Sequence, residues 1–270
     1  MTGSISRRLA KLATALLLTT GAIAITASAA SAAVVFNNTP KPIPGNVPSL
    51  GFASDSTTQF GGQVEFLNGK SVTPSKISVL MSSWACANLK GGSECKTAKG
   101  QTFPWKITLN IYNVGAENEP GTLIATETPT INVPYRPSAA KHCPATSEGG
   151  VGWAKECWNG KAFEASFPAA ELVWTNPSIK RLPATAIISV GYEPYSEENR
   201  GQDSLNVGLT EAANSMPSVG ESPLLKTEEL YLKSTYCVLY EPKPCTTEFT
   251  LAGGWGTYQP VFEVQGSSNT

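Results

Sequence analysis

Residues 105–112 read Trp-Lys-Ile-Thr-Leu-Asn-Ile-Tyr, and this stretch indicates the fold more clearly than any other. Its odd-numbered positions are apolar, and they alternate with positions that are polar or tyrosine. Such a period of two is typical of a β-strand with one buried face, because successive side chains point to opposite sides of a sheet. Residues 113–115, Asn-Val-Gly, end the strand. Residues 119–121, Glu-Pro-Gly, open a second run that continues to Thr128, so the sequence predicts a hairpin.

The same alternation recurs along the chain and extends the prediction to an all-β fold. Residues 77–81 and 205–209 alternate in this way, and residues 186–192 are apolar and β-branched enough for a strand buried on both faces. Residues 261–263 predict a last strand, where the preceding Pro260 indicates an edge position or a strand beginning. No segment has a clear helical period. We therefore expect a single β-sandwich, jelly-roll-like or immunoglobulin-like.

The first 32 residues have the features of a secretory signal peptide. Three basic residues stand between positions 7 and 11, an apolar run follows, and two Ala-Ser-Ala cleavage patterns end at Ala29 and Ala32. We expect cleavage after Ala32. A membrane anchor is the alternative, but the apolar run is short and is interrupted by polar residues.

The mature chain is then predicted to be residues 33–270, one secreted domain with an extended, Pro-rich N-terminal arm at residues 39–45. A loose linker is the alternative for the arm. Losing three of the 20 basic residues and none of the 21 acidic ones leaves a formal net charge of −4. Because the chain has no basic run, we expect no nucleic-acid partner. No segment after the signal is apolar for long enough to span a bilayer, so we expect an extracellular protein.

Six cysteines fall into three close pairs, and an even cysteine count in an exported chain predicts disulfides. We expect each close pair to be bridged, because closing a short loop has the lowest entropy cost. A zinc site is the rival interpretation, but no spacing matches the tight knuckle that structural zinc prefers, and we expect neither a metal nor a cofactor. The three predicted bridges are Cys86–Cys95, Cys143–Cys157 and Cys237–Cys245.

Few residues point to a catalytic mechanism. The sole histidine, His142, stands beside Cys143, so a triad hydrolase would have to use a histidine next to a bridged cysteine. An oxygen-rich cluster at residues 197–203 could attract calcium, but we favour a solvated loop whose Asp203 hydrogen-bonds the backbone where the next strand begins. A glycoside hydrolase needs two carboxyl groups, and the many glutamates neither exclude nor locate such a pair. The sequence therefore identifies no catalytic residue.

Loop aromatics are the strongest binding signal in the sequence. Trp153 lies inside the loop that Cys143 and Cys157 would close, Trp158 lies just outside it, and Trp255 stands among glycines. A rigid, exposed tryptophan can stack on a sugar ring or on an apolar group of a partner. The alternative is that each tryptophan packs down onto the core. We take these three tryptophans as candidate binding residues.

Seven segments of the mature chain are similar to one group of known sequences: residues 38–52, 81–86, 107–115, 120–126, 133–137, 203–209 and 258–260. The chain thereby resembles a group of secreted, β-rich actinobacterial proteins without a known activity. The resemblance implies export and a single domain, and it carries over no site. It also draws attention to Arg136 and Asp203, which lie inside the matching segments. They either bind a partner or form an internal salt bridge, and both are candidate binding residues.

Three functions are open to this sequence. The first is a non-enzymatic extracellular module that binds a carbohydrate, a cell-wall component or a protein surface through disulfide-shaped loops. The second is a carboxylate-dependent extracellular hydrolase. The third is a structural envelope or matrix protein, which would expose a large apolar patch. We favour the first, with a carbohydrate or another cell-surface component as the partner.

Overall fold

The computed structural model describes residues 32–41, 43, 48–52, 57–89, 94–138, 157–158, 161–162, 169–175, 177–191, 205–211, 216–226, 229–234, 249–253 and 258–269. The predicted signal peptide lies almost entirely outside these residues.

Strands make up nearly all the regular structure in these ranges, where no α-helix occurs, so the fold is all-β as the sequence predicts. Short 3-10 turns occur at Leu67–Gly69, Ala116–Asn118 and Pro223–Lys226. The strands are β1 Ala33–Asn37, β2 Ser49–Gly51, β3 Thr57–Glu65, β4 Val72–Ser83, β5 Thr102–Lys106, β6 Thr108–Val114, β7 Pro120–Glu127, β8 Thr130–Pro134, β9 Cys157–Trp158, β10 Lys161–Ala162, β11 Ala169–Thr175, β12 Thr185–Gly191, β13 Leu205–Glu211, β14 Glu229–Ser234, β15 Phe249–Gly253, β16 Tyr258–Pro260 and β17 Phe262–Ser268.

The described strands form two larger sheets and two short ribbons. The first sheet has seven strands in the order β1-β17-β4-β13-β16, with β11 also paired to β4 and β2 also paired to β13. The second sheet has six strands in the order β15-β14-β3-β12-β6-β7. The ribbons are β5–β8 and β9–β10, and the pairing of each described strand is antiparallel. Strand β4 is therefore central to the first sheet, since it pairs with three others.

One apolar cluster, the shared core, receives side chains from both larger sheets. Phe60 of β3 and Ile188 of β12 come from the second sheet, and Ile77 of β4 and Phe262 of β17 come from the first. All four side chains are fully buried. A Cβ atom added to Gly62 would lie 3.2 Å from the Phe262 ring, which is tighter than ordinary van der Waals contact. Removing these apolar faces from water is the main favourable contribution to folding.

Most predicted strands are confirmed. Residues 77–81 lie in β4 and residues 205–209 in β13, each with its apolar side chains buried. Residues 186–191 of β12 are buried throughout, as expected for a strand covered on both faces. The last strand starts at Phe262 and lies between β1 and β4, so it is not an edge strand. Pro260 itself belongs to β16, which ends the strand order, so the edge alternative holds for the proline and not for the strand that follows it.

Residues 105–112, which the sequence predicts as one strand, belong to two strands. The chain leaves β5 at Lys106 and enters β6 at Thr108, so it passes from a ribbon into the second sheet. Ile107, at the break, is fully buried, and its backbone N–H donates to the Pro129 carbonyl at 3.2 Å. The alternation continues across the break because Ile107, Leu109 and Ile111 all enter the shared core. The predicted hairpin of β6 and β7 is confirmed.

The second sheet curls about the face that is turned away from the shared core. Tyr112 of β6 stacks on Phe249 of β15 with their ring centroids 5.0 Å apart, although three strands separate β6 from β15. Neighbouring strands lie about 4.8 Å apart, so a flat sheet would hold these two strands roughly 19 Å apart. The backbone N–H of Leu251, in the edge strand β15, also donates to Oε2 of Glu119 at 3.4 Å. Glu119 directly precedes β7, the strand at the opposite edge of the sheet.

The predicted Cys86–Cys95 disulfide is confirmed. It closes a short loop directly after β4, with its Cα atoms 5.7 Å apart. Asn88 fixes the same loop through two hydrogen bonds. Its Nδ2 donates to the Glu94 carbonyl at 2.8 Å, and its Oδ1 accepts from the Lys96 backbone N–H at 3.1 Å. The loop shape therefore depends on hydrogen bonds as well as on the bridge.

Two leucines on neighbouring strands test the assignment of faces in the second sheet. Leu109 of β6 is 1% exposed in the shared core, whereas Leu123 of β7 is 46% exposed. We expect Leu109→Ala to lower the free energy of unfolding by about 2–5 kcal/mol through a cavity in the core. Leu123→Ala should change it by less than about 0.5 kcal/mol. Urea denaturation measures both, and equal losses would contradict the assignment.

The other two predicted bridges, Cys143–Cys157 and Cys237–Cys245, fall on residues or side chains outside the described part and stay predictions. We expect peptide mapping of the non-reduced protein by mass spectrometry to find each of these pairs linked, because short loops close most readily. A peptide that joins Cys143 to Cys237 would contradict the local pairing. The Cys86–Cys95 peptide serves as the internal control.

Candidate functional site

The chain is fixed to the first sheet on both sides of the N-terminal arm. Before the arm, Asn38 is buried, its Nδ2 donates to the Pro260 carbonyl at 2.9 Å, and its Oδ1 accepts from the Phe262 N–H at 2.7 Å. After the arm, the Pro48 carbonyl accepts from the Leu209 N–H of β13 at 2.7 Å. These two attachments keep the described residues of the arm close to the sheet.

A cavity of about 230 Å³, which we call the arm pocket, lies between the arm and the first sheet. Alternate residues of β4 point to opposite faces, so Ser78 and Leu80 face the arm pocket while Ile77 and Val79 enter the shared core. Leu80 and Val261 pack together as its apolar floor. The lining residues are Thr39, Pro40, Lys41, Ile43, Ser78, Leu80, Glu171, Val261 and Glu263.

Two carboxylates from the strands on either side of β4 reach the arm pocket. The register places Glu263 of β17 opposite Ser78 and Glu171 of β11 opposite Leu80. Lys76 Nζ lies 3.4 Å from Glu171 Oε1 and 3.8 Å from Glu263 Oε1. The ammonium group is therefore held between the carboxylates of the two strands that flank β4. The three side chains keep 21–50% of their surface exposed, so each ion pair contributes only about 0–1 kcal/mol.

Glu263 is held more firmly than Glu171. Asn37 Nδ2 donates to Glu263 Oε2 at 2.9 Å, and Gln265 Nε2 donates to Glu263 Oε1 at 2.7 Å. Within the described residues, the polar contact of the Glu171 carboxylate is the one to Lys76. Glu171 is therefore the carboxylate that can turn toward a ligand with the smallest loss of contacts.

Ser78 brings a buried hydroxyl to the arm pocket. The residue is 3% exposed, and its Oγ has no hydrogen-bond partner among the described residues. Leaving a buried hydroxyl without a hydrogen bond costs about 1–3 kcal/mol. Ser83, on the same strand, also has a buried Oγ without a hydrogen-bond partner among the described residues, but Ser83 does not line the pocket. Ser78 is therefore a polar group that the fold itself leaves unused.

A second polar cluster lies inside the curl of the second sheet. Gln59 Oε1 accepts from Asn110 Nδ2 at 3.1 Å, from the Tyr112 hydroxyl at 3.1 Å and from Ser189 Oγ at 2.9 Å. A Cβ atom on Gly191 would lie 2.8 Å from Gln59 Cγ, so the glycine makes room for the amide side chain. Asn110 and Ser189 are buried. The cluster is satisfied within the fold, and it serves packing.

The binding residues predicted from the sequence do not lie in the arm pocket as far as the structure describes them. Arg136 follows β8 and is buried, and its backbone N–H donates to the Ala85 carbonyl at 2.9 Å, beside the Cys86–Cys95 loop. Trp158 lies in β9, whose side chains are outside the described part. Both alternatives for Arg136 and Asp203, a partner contact or an internal salt bridge, stay predictions. Three candidates lie outside the described residues: Trp153, Asp203 and Trp255.

Sequence reasoning missed the residues that form the arm pocket. Ser78, Glu171 and Glu263 belong to three strands that are far apart along the chain, and no motif joins them. The alternation in residues 77–81 indicates that Ser78 faces away from the core. It does not indicate which strands lie beside it, so only the register could bring the two carboxylates to the same serine.

Neither a metal centre nor a membrane span is found in the described part of the chain. No three or more His, Cys, Asp or Glu side chains in these ranges are grouped so that they could hold a metal ion. No described segment forms a helix with the length and hydrophobicity that crossing a bilayer requires.

Comparison with known proteins assigns no family to the chain. No protein-family model, no curated protein and no solved structure matches it. The arm pocket is therefore interpreted from its own geometry and chemistry.

Tyr112 gives the second sheet a testable response to alkaline pH. Burial raises the pKa of its hydroxyl above the ordinary value of 10.0, and the hydrogen bond to Gln59 offsets part of that rise. The folded protein then holds this proton more tightly than the unfolded chain does. The resulting stability is fully present below pH 10 and is lost as the pH rises through the folded-state pKa.

We expect Tyr112→Phe to flatten this alkaline loss of stability, although it lowers stability uniformly by removing the bond to Gln59. Urea denaturation between about pH 9 and pH 11 measures the slope in both proteins. An unchanged slope in the variant would show that Tyr112 is not the titrating group.

Proposed function

We propose that this protein is a secreted, non-enzymatic module that binds a carbohydrate, a cell-wall component or a protein surface outside the cell. The observation that carries the proposal is the arm pocket, which combines an apolar floor, two carboxylates and a buried hydroxyl that the fold leaves unused. Ligand sites typically join a mostly apolar lining to a few placed polar groups. The predicted signal peptide and disulfides support an extracellular location.

We infer that the two larger sheets pack face to face as a β-sandwich, with jelly-roll-like and immunoglobulin-like connections as the alternatives. The shared core and the close approach of Gly62 to Phe262 support this arrangement. Loops at the ends of a sandwich are common binding sites because a rigid scaffold positions them. On this proposal the predicted loop tryptophans, Trp153, Trp158 and Trp255, add contact area for the same partner.

A carboxylate-dependent hydrolase is the second candidate, because Glu171 and Glu263 line one cavity. Glycoside hydrolysis needs two carboxyl groups on opposite sides of the bond that breaks. Here Lys76 contacts both carboxylates, so hydrolysis would require its ammonium group to leave both of them, whereas binding through Glu171 requires it to leave only one. Glu263 would in addition have to leave Asn37 and Gln265. These contacts favour binding over hydrolysis.

A structural envelope or matrix protein is the third candidate, and it has the least support. Such a role favours one large apolar patch, whereas single exposed apolar side chains are ordinary on a protein surface. The large apolar side chains that are exposed in the described part come from five different segments of the chain: Ile43, Leu67, Leu89, Leu123 and Met216.

We expect the mature protein to be retained on insoluble polysaccharide or on purified cell wall. Trp255→Ala should weaken retention about tenfold or more, since buried aromatic anchors carry much of the energy of an interface. Leu123→Ala is the control, because it truncates an apolar side chain that the structure shows exposed. Co-sedimentation with cellulose, chitin and cell-wall fragments measures the bound fraction, and circular dichroism confirms that each variant is folded.

Two results would contradict the proposed function. Absence of retention on every matrix would remove the support for a binding module. Release of soluble sugar into the supernatant, lost in Glu171→Gln, would favour the hydrolase in its place.

A further inference from the structure

We propose that the arm pocket binds one neutral, hydroxyl-bearing sugar ring, with Ser78 and Glu171 as its hydrogen-bonding residues. This inference rests on the proposed binding function, and it adds the ligand class and the residues that recognise it. It does not depend on the predicted loop tryptophans.

The size of the arm pocket restricts the ligand. Its volume of about 230 Å³ is below the roughly 300–1,000 Å³ of pockets that enclose drug-sized molecules. The pocket therefore accepts one small ring and not several. Ile43, at its rim, is 45% exposed, so a longer chain attached to that ring can continue along the surface.

The charges around the arm pocket favour a neutral ligand. Glu171 and Glu263 carry two negative charges, and Lys41 and Lys76 carry two positive charges, so their formal charges cancel. A cationic or anionic ligand would add an unbalanced charge or would separate an existing ion pair, and either is costly in a partly desolvated site. A sugar adds no charge.

The polar and apolar groups of the pocket also match a sugar ring. The C–H face of the ring can lie on Leu80 and Val261, whose side chains pack together as the floor. A ring hydroxyl can donate to the Glu171 carboxylate, and a hydrogen bond to a charged acceptor is roughly twice as strong as a neutral one. The Ser78 hydroxyl can donate or accept, so it can pair with either end of a sugar hydroxyl.

Lys76 pairs with both carboxylates of the arm pocket. Its ammonium group contacts Glu171 and Glu263 at 3.4 and 3.8 Å, so it competes with a ligand that hydrogen-bonds to Glu171. Because its side chain is 30% exposed and such surface pairs are weak, it can move into solvent when a ligand enters. Added salt weakens these ion pairs further. We therefore expect the affinity for a neutral sugar to stay constant or to rise slightly with salt, whereas the affinity for a charged ligand would fall.

The test is a titration of the folded protein with glucose, galactose, mannose and N-acetylglucosamine, followed by amide chemical shifts in NMR. Cadaverine and acetate are the cationic and anionic probes. We expect at least one neutral sugar to bind, with an affinity that does not fall when the salt concentration is raised about tenfold. Glu171→Gln should weaken this binding about tenfold, and Ser78→Ala about three- to tenfold.

Ser83→Ala is the matched control. It removes a buried hydroxyl without a described partner from the same strand, at a residue that does not line the arm pocket. We expect it to leave the affinity within about twofold of the original value, because it touches no ligand group. Glu171 is half exposed, so Glu171→Gln tests the site independently of any change in stability that Ser78→Ala causes.

Three outcomes would overturn the inference. The first is that no neutral sugar binds, and the second is that only cadaverine or acetate binds. The third is that a sugar binds, but Ser78→Ala and Glu171→Gln change its affinity no more than Ser83→Ala does. The retention experiment tests the proposed function separately. If Ser78→Ala and Glu171→Gln are both still retained on a matrix, the protein is a binding module that does not use the arm pocket. If a sugar binds but the protein is not retained on any matrix, only the pocket is supported.

Discussion

The burial of one apolar face from each larger sheet is the constraint on which the rest of the structure depends. In strand β4, this burial also determines which side chains face the arm pocket. Because side chains alternate along a strand, the burial of Ile77 and Val79 places Lys76, Ser78 and Leu80 on the opposite face. A shift of β4 by one residue would exchange the two sets, so the core fixes the register. The arm pocket thus follows from the same interaction that stabilises the fold.

The two polar clusters differ in what the fold does with them. Gln59 gathers three donors inside the curl of the second sheet, where its partners Asn110 and Ser189 are buried and could not otherwise be satisfied. Ser78 is equally buried, yet its hydroxyl is left without a partner in the described part of the chain. The first arrangement stabilises the sheet, whereas the second costs stability. That contrast supports the proposed ligand contact of Ser78, whereas Gln59 serves packing.

The strands could be predicted from the sequence wherever their signal is local. Residues 77–81 and 205–209 alternate over a few positions, and the shared core then selects the apolar set. The break at Ile107 could not be predicted, because the alternation continues across it and only the pairing partners change. Pro260 lies in the edge strand β16, yet it did not indicate that the next strand, β17, lies between β1 and β4, since a proline marks a local restriction and does not identify the neighbouring strands.

The sequence by itself determined the all-β class and the short-range Cys86–Cys95 bridge, both of which depend on neighbouring residues. Export stays a prediction of the same local kind. The tertiary structure alone decided the candidate site. Glu171 and Glu263 meet beside Ser78 because three distant strands pair in one register. Strand pairing is a long-range interaction, and its register is set by the burial of whole faces. No short stretch of sequence contains that information.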